Sequence, residues 1–287
     1  MATRILPIKP TGASNTNTSR LLYAWMDPVH LEQQVGPHVY PSIQAQHAAA
    51  WQARLALPQA APPRPILQSL TDAAELAWAQ EVASQPAFQK AFGHPPGAFS
   101  FARVPIEALV TFQPWLHPYH TPVPTEGLDI FKWCLPKEFT VTSEMNVEAG
   151  TDGIPRRMVM ATDDPSAILQ VAMTPVGLAL GAGPRLNWVQ VVDVQGMYVL
   201  KNGYHRVAAL HAAGHTEVPA VVTSAARLEE VVLPAPGFFN AGYLAGLPRK
   251  PMVADFQNPS FVVDVPHGKQ KRVIEVRFDV ASFNVPV

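Results

Sequence analysis

Several features that define large classes of protein are scarce or missing in this 287-residue chain. Its one cysteine is Cys134, so an internal disulfide is excluded, and no cysteine–histidine spacing indicates a zinc site. No window approaches the about 20 apolar residues of a membrane-spanning helix, and no secretion signal is recognisable. We therefore expect a cytoplasmic protein without a membrane partner, in which Cys134 is a small buried hydrophobe rather than a reactive thiol.

Charge is also scarce. Charged residues make up 15% of the chain, against roughly 25% in an average protein, and the formal net charge is −1. Proteins that bind nucleic acid non-specifically do so through clustered lysine and arginine side chains, and the one such run here is residues 269–272. Nucleic acid is therefore disfavoured as a partner.

Proline, in contrast, is abundant. The 30 prolines are about twice the average share, which indicates short elements and many loops and argues against a helical bundle. Together with strand-like segments, this predicts an α+β fold. We expect four regions along the chain: a flexible tail (1–20), an N-terminal helical portion (21–96), a central domain (97–232), and a loop with a C-terminal β-hairpin packed on the core (233–287). In the hairpin, residues 261–265 would pair with residues 272–280.

The most informative segment is residues 189–222. Alternating apolar residues predict two strands joined at Gln195-Gly196, followed by a short alanine-rich helix from about residue 204 and another strand. Asn202 is a suitable N-cap, and Gly203 would allow a ligand to approach the backbone. A helix N-terminus favours anions, and the planar fork of Arg206 matches a phosphate group. The pattern therefore predicts a phosphate or nucleotide pocket, with Arg206 accessible in a concave site.

This segment resembles the ParB/sulfiredoxin superfamily, in which a Gly-x-x-Arg turn leads from a strand into an alanine-rich helix. The matching residues are Gly203-Tyr204-His205-Arg206, Ala208-Ala209, Gly214 and Val218-Pro219, with an opening strand at 103–109. The match covers about 35 residues, or roughly 100–225 with the opening strand. The resemblance implies a nucleotide-binding core of a small mixed sheet and short helices.

Two departures narrow what the resemblance implies. Sulfiredoxins carry a catalytic cysteine where this chain has Tyr204, so sulfinic-acid reduction is not expected, and we interpret Tyr204 as a packing residue within the ligand-binding turn. Partition proteins continue with a helix-turn-helix, whereas this chain continues with a proline-rich segment. Chromosome or plasmid partition therefore fits poorly.

Candidate catalytic residues are Glu107 and His205. Phosphoryl transfer needs a base or a metal-binding carboxylate near the phosphates. Glu107 is favoured over Asp193, Glu144 and Glu148 because, in the implied fold, the opening strand passes beside the phosphate turn. His205 has three interpretations: a phosphate ligand, a general acid or base, or a structural histidine.

The predicted phosphate-binding set is therefore Asn202, Gly203, Tyr204, His205 and Arg206. Arg206 also has a structural interpretation, as the partner of a carboxylate such as Asp193 or Glu217. We predict no metal ligands. The cofactor is not identified by the sequence, and a nucleotide with Mg²⁺ is compatible with the turn.

Three functions remain open at this stage. The first is a nucleotide- or phosphate-ligand-binding protein, with phosphoryl transfer or phosphoester hydrolysis as the reaction if it is an enzyme. The second is a non-catalytic partner-binding or assembly module, and the third, disfavoured by charge, is a DNA-acting nuclease. A carboxylate beside Arg206 would favour the enzyme. A turn filled by Tyr204 or Trp188, with an apolar patch elsewhere, would favour the module.

Overall fold

The computed structural model describes residues 16–58, 66–93, 97–117, 122–139, 141–153, 155–162, 167–174, 177–184, 187–232, 237–268 and 272–278. Helices and small mixed sheets share the chain, which confirms the predicted α+β class. Among these residues, no helix is long and apolar enough to cross a membrane. Of the flexible tail predicted at 1–20, residues 1–15 lie outside the described residues. The prediction is wrong for residues 16–20, because they belong to the strand β1 (Thr16–Leu21) and pair within a sheet.

The chain forms two compact units that cut across the predicted boundaries. The larger unit comprises residues 17–137 and 187–267, and the smaller comprises residues 138–186 with the segment from residue 268 onward. The predicted central domain, 97–232, is therefore interrupted, because residues 138–186 belong to the smaller unit.

The larger unit contains all of the described helices. The α-helices are α1 (Pro28–Val35), α2 (Tyr40–Leu55), α3 (Ala73–Ser84), α4 (Pro86–Phe92), α5 (Gly127–Cys134), α6 (Tyr204–Ala212) and α7 (Ala241–Gly246), with 3-10 helices at Tyr23–Trp25, Ile106–Ala108, Leu228–Glu230 and Val253–Gln257. The start of α3 follows from the sequence, because the Asp72 carboxylate accepts hydrogen bonds from the backbone N–H groups of Ala74 and Glu75, each at 2.9 Å. Pro86 occupies the first turn of α4, where its missing N–H has no cost.

Two sheets belong to the larger unit. Their strands are β1 (Thr16–Leu21), β2 (Gln68–Ser69), β3 (Phe99–Pro105), β4 (Leu109–Val110), β5 (Trp115–Leu116), β10 (Gln190–Val194), β11 (Met197–Asn202), β12 (Glu217–Ala225) and β13 (Val263–Gly268). The main sheet has the order β2-β3-β12-β10-β11-β4, and a second sheet has the order β13-β1-β5. Strands β10 and β11 form an antiparallel hairpin, and β10 runs parallel to β12. The predicted order of elements in residues 189–222 is thereby confirmed.

An aromatic cluster packs at the main sheet. The Phe88 ring lies 5.0 Å from the Trp188 ring and 4.9 Å from the Phe99 ring, measured between centroids, in edge-to-face contacts. Phe88 and Trp188 are almost fully buried. Such pairs add to the free energy of hydrophobic burial. This packing places Trp188 just before β10, the first strand of the hairpin whose second strand, β11, leads to the predicted turn at residues 202–206.

The smaller unit is built from strands. They are β6 (Glu144–Ala149), β7 (Pro155–Thr162), β8 (Ala167–Thr174), β9 (Gly177–Pro184) and β14 (Arg272–Arg277). An antiparallel sheet has the order β14-β7-β6, and β8 pairs with β9 as a hairpin.

The predicted C-terminal hairpin is wrong. Strands β13 and β14 do form, but β13 joins β1 and β14 pairs with β7, so they lie in different sheets. The pairing with β7 aligns six residue pairs and includes an ion pair between Arg157 and Glu275, 2.7 Å apart. A turn sequence between two strands shows only that the chain can reverse there, whereas cross-strand contacts decide which strand each one joins.

Candidate functional site

The predicted turn lies where expected, but its glycine faces the protein. Gly203 has φ +93° and is the N-cap of α6. A Cβ added at Gly203 would lie 2.8 Å from Cγ2 of Val189. The close approach that requires glycine is therefore made by Val189, which occupies the place predicted for a ligand.

Asn202 is not the helix cap. Its side-chain N–H donates to the backbone carbonyl of Trp188 at 3.0 Å, and its Oδ1 accepts from the N–H of Gly203 at 3.0 Å. Asn202 therefore fastens β11 to the start of β10 instead of satisfying the first turn of α6. The prediction failed by one residue because a left-handed glycine can end the strand and begin the helix without a side-chain cap.

Arg206 is buried, with 4% of its surface exposed, so its predicted accessibility is wrong. Nη1 donates to the backbone carbonyls of Trp133 at 2.6 Å and Cys134 at 3.2 Å. Nη2 donates to the backbone carbonyl of Asn187 and, at 2.9 Å, to its side-chain oxygen Oδ1.

These contacts have a simple electrostatic basis. Trp133 and Cys134 are the last two residues of α5, where backbone carbonyls lack helical partners and the helix dipole is negative. The guanidinium of Arg206 therefore caps α5 and ties the starts of α6 and β10 to it. Neither carboxylate considered in the sequence, Asp193 or Glu217, is needed to explain this burial.

Tyr204 packs in the core, as predicted. Its hydroxyl donates to the backbone carbonyl of Leu200, and its ring lies 5.5 Å from the Phe112 ring at 86°. Burial raises the pKa of Tyr204 well above its usual value. The side chain is 6% exposed, so it contacts protein on the surfaces where a ligand would have to bind.

His205 is the one predicted residue with an unsatisfied polar atom. Its Nδ1 is buried and has no hydrogen-bond partner among the described residues. Burial, with smaller effects from His117 and Arg206, lowers the pKa of His205 to about 4. The ring centroids of His205 and His117 are 5.6 Å apart, and Nδ1 of His117 lies 2.6 Å from Oγ of Ser19. At neutral pH, His205 is uncharged and contributes no electrostatic attraction for phosphate.

Glu107 lies at the wrong end of α6 for the predicted catalytic role. The N–H of its neighbour Ile106 donates to the carbonyl of Thr216 at 2.8 Å, and Thr216 follows the C-terminus of α6. A nine-residue helix is about 13 Å long, so exposed Glu107 is separated from residues 202–206 by roughly that length. The expectation came from the family resemblance, which places the opening strand beside the phosphate turn, whereas here the residues after that strand lie beside Thr216.

The other carboxylates do not join the turn either. Asp193 accepts a hydrogen bond from the N–H of Gly196 at 2.6 Å, at the opposite end of the β10–β11 hairpin. Glu144 and Glu148 lie on β6 in the smaller unit. No group of three or more histidine, cysteine or acidic side chains in the described part of the chain is arranged to hold a metal ion.

A cleft that the sequence did not indicate lies on the main sheet, away from the turn. It has a volume of about 470 Å³ and is lined by Ile66, Leu67, Gly97, Ala98, Phe99, Ser100, Asp193, Tyr198, Val222 and Ser224. It includes none of residues 202–206. Its lining comes from four strands and two loop segments, so no local motif could have predicted it.

Comparison of the chain with known proteins does not identify a family. No family model matches the chain, and neither the curated proteins nor the solved structures contain a match. The resemblance to the ParB/sulfiredoxin superfamily therefore stays a prediction, carried by residues 203–219 and the opening strand at 103–109.

The smaller unit exposes several apolar side chains. Every residue of β6 is exposed at the edge of its sheet, including Met145 at 59% and Val147 at 45%. The pairing of β6 with β7, and of β7 with β14, places these two side chains on the same face of the sheet as four other apolar side chains, which are partly or fully buried. We call this set the methionine face, and its members are Met145, Val147, Met158, Met160, Ile274 and Val276.

The opposite face of the same sheet, which we call the polar face, carries charged side chains together with Val159, Ala161 and Val273. Arg157 forms ion pairs with Glu148 at 2.6 Å and Glu275 at 2.7 Å, and Glu275 also contacts Arg277 at 2.7 Å. The strand β8 extends the apolar character of the unit, since Val171 and Met173 are 48% and 81% exposed. The exposure of the β6 side chains depends on the edge position of that strand, which alternation in the sequence alone does not indicate.

Proposed function

We propose that this protein is a non-catalytic binding module that engages a protein partner through the smaller unit. The observation that carries the proposal is β6, an edge strand exposed along its whole length that presents Met145 and Val147 to solvent. An unpaired strand edge offers a row of backbone donors and acceptors to another chain. Partner strands bind such edges through backbone hydrogen bonds, and alternate side chains supply specificity.

The composition of the methionine face supports the same conclusion. Methionine is flexible and polarisable, so it adapts to partners of different shape, and it is frequent at binding surfaces. Met145 and Val147 are directly opposite Met160 and Met158 in the pairing of β6 with β7. A partner strand added at β6 would therefore cover an apolar surface as well as complete a ladder.

The turn at residues 203–206 supports a structural role in place of phosphate binding. Arg206 caps α5, Gly203 receives Val189, and Tyr204 fills the adjoining space. Of these contacts, the filling of the turn by Tyr204 is the one that the sequence indicated would favour the module. Binding of a nucleotide with Mg²⁺ at this turn would require Arg206 to abandon buried carbonyls, which costs about 1–3 kcal/mol for each group left unsatisfied.

A photo-crosslinking amino acid at position 145 of the full chain, expressed in its native cells, tests the proposal. We expect a discrete cross-linked product containing a protein partner, identified by mass spectrometry. The matched control is Val29, which is 65% exposed on α1 in the larger unit and should give no product. Absence of a product at 145, or equal products at both positions, would refute the proposed surface.

A second candidate function is small-molecule binding in the cleft of the main sheet. Its volume of about 470 Å³ lies within the about 300–1,000 Å³ typical of ligand sites. The Asp193 carboxylate favours a ligand that carries hydrogen-bond donors and disfavours a bare phosphate. A melting-temperature screen with amines, polyols and nucleotides tests this, and Asp193→Asn should abolish any shift that arises in the cleft.

A further inference from the structure

The sheet β14-β7-β6 has two different edges. Strand β6 lies at one edge and β14 at the other, and among the described residues neither is hydrogen-bonded to a second strand, although β14 also contacts β8. Both edge strands pair antiparallel with β7, so β6 and β14 run parallel to each other. A second copy related mainly by translation can therefore place its β14 beside β6 and continue the sheet in the same orientation.

We propose that the partner of β6 is the β14 strand of a second copy of this chain. The proposal rests on the proposed protein-binding function and specifies its partner. Translation keeps the methionine faces of both copies on the same side of the continued sheet. A residue of the methionine face in β6 must therefore lie beside a residue of the methionine face in β14 of the next copy. Because side chains alternate between the two faces, the allowed registers differ from one another by steps of two residues.

One register satisfies both faces. It sets Met145 beside Ile274 of the next copy and Val147 beside Val276, so the two apolar rows continue from one copy into the next. On the polar face it sets Glu148 beside Arg277, whose side chain is 69% exposed. Asn146 then lies beside Glu275, to which its amide N–H can donate.

The two neighbouring registers are destabilised by repulsion between glutamate side chains. A shift of two residues one way sets Glu148 beside Glu275, and a shift the other way sets Glu144 beside Glu275. Like charges directly opposite each other are destabilising in a sheet, and opposite charges are stabilising. Charge complementarity therefore specifies the second copy and its register together.

This contact joins two different surfaces, so it does not close after two copies. A heterologous contact generates rings or open chains of subunits. Antiparallel pairing of β6 with β6 of another copy would instead give a closed dimer, and the register that overlaps residues 144–148 would set Glu144 opposite Glu148 twice. We expect concentration-dependent association beyond the dimer.

Sedimentation analysis of the full chain and two charge-reversal variants tests the proposal. Glu148→Arg and Arg277→Glu should each weaken self-association by about tenfold, because each turns the attractive contact into a repulsive one. An equimolar mixture of the two variants should restore association, since every junction between unlike variants again has opposite charges. Each reversal also breaks an ion pair within the sheet, Glu148 with Arg157 or Arg277 with Glu275, so the single variants are expected to melt somewhat lower. Recovery of association in the mixture excludes misfolding as the cause, because each variant still carries its own substitution.

Each outcome is decisive. Association beyond the dimer with the charge-swap pattern supports the proposal. A monomer at all concentrations, a dimer that never grows, or a mixture no better than its components overturns it. If position 145 cross-links to a different protein while the chain stays monomeric, the second-copy proposal fails and the proposed function stands. If the chain is monomeric and position 145 gives no product, both fail.

Discussion

Arg206 donates to two oxygens of Asn187, its backbone carbonyl and its side-chain Oδ1. Together with the carbonyls of Trp133 and Cys134, these contacts place the guanidinium at a junction of three segments: the end of α5, the approach to β10 and the start of α6. Arg206 has the residue type and the position expected of a phosphate-binding arginine, but its contacts hold the larger unit together.

Substitution of Gly203 should be more damaging than that of another glycine with similar backbone geometry. Gly203→Ala places a Cβ 2.8 Å from Val189 at φ +93°, whereas Gly214 has φ +90° with nothing within 4 Å. Left-handed backbone costs a non-glycine residue about 1–2 kcal/mol. We expect Gly214→Ala to lose about that much, and Gly203→Ala to lose more, in the free energy of unfolding measured with denaturant.

The matched pair isolates the contact with Val189, because the backbone cost is shared. If both variants lose the same amount, Val189 yields freely and the turn retains room for a ligand.

Stability should fall in acid through His205. Burial lowers its folded-state pKa from 6.5 to about 4, so the folded protein prefers the neutral imidazole. The contribution of neutral His205 to the free energy of unfolding is complete above about pH 6.5. It is lost as the pH falls toward 4, because the imidazole is protonated more readily in the unfolded chain than in the folded protein. At most about 3 kcal/mol is involved.

Unfolding free energies measured between pH 4 and pH 7 on the wild type and on His205→Gln check this prediction. The variant should have the shallower pH dependence. Parallel curves would mean that His205 is hydrated and that its environment does not resist a charge.

Cys134 should be inert toward thiol reagents in the folded protein. Burial raises its pKa to about 12, despite the nearby Arg206 and Arg103, so almost no thiolate exists at neutral pH. Labelling should proceed at the rate of unfolding and become fast in denaturant. Fast labelling without denaturant would show that the end of α5 opens readily.

Met145 and Met160 lie opposite each other on β6 and β7, and substituting each in turn should distinguish an effect on partner binding from an effect on the free energy of unfolding. Met145 is 59% exposed and Met160 is 5% exposed. Met160→Ala should cost about 2–5 kcal/mol, while Met145→Ala should stay within about 0.5 kcal/mol and yet reduce partner binding. Unfolding by denaturant and the cross-linking assay give the two readings. A large stability loss for Met145→Ala would show that β6 is covered.

The elements that depend on nearby residues were predictable from the sequence. Alternation, the Gln195-Gly196 turn and the glycine after α6 indicate β10, β11, α6 and β12 through contacts within a few residues. What failed depends on distant partners. Arg206 bonds to carbonyls 19 to 73 positions away, and β14 pairs with a strand that ends 110 positions earlier (272 minus 162).

The same reason explains the candidate surfaces. The segment 144–149 alternates polar and apolar residues, as a half-buried strand does, and nothing local indicates that it lies at an open edge. The cleft beside Asp193 is assembled from segments more than 100 positions apart. Sequence patterns predicted the strands, and only the assembled sheets indicate which of their faces remain available.

The measurement that tests the account most directly is the melting temperature of Arg206→Ala without ligand, beside a nucleotide titration of the wild type with and without Mg²⁺. Removing the guanidinium takes away its hydrogen bonds to the carbonyls of Trp133, Cys134 and Asn187, although the Cys134 carbonyl keeps the one from the N–H of Val189. Each carbonyl left without a partner costs about 1–3 kcal/mol. We predict a large fall in melting temperature, little recovery in Arg206→Lys because an ammonium is a point charge, and no nucleotide-induced shift. An unchanged melting temperature in Arg206→Ala, with a wild type that nucleotide stabilises and a variant that it does not, would contradict the account and restore the phosphate site.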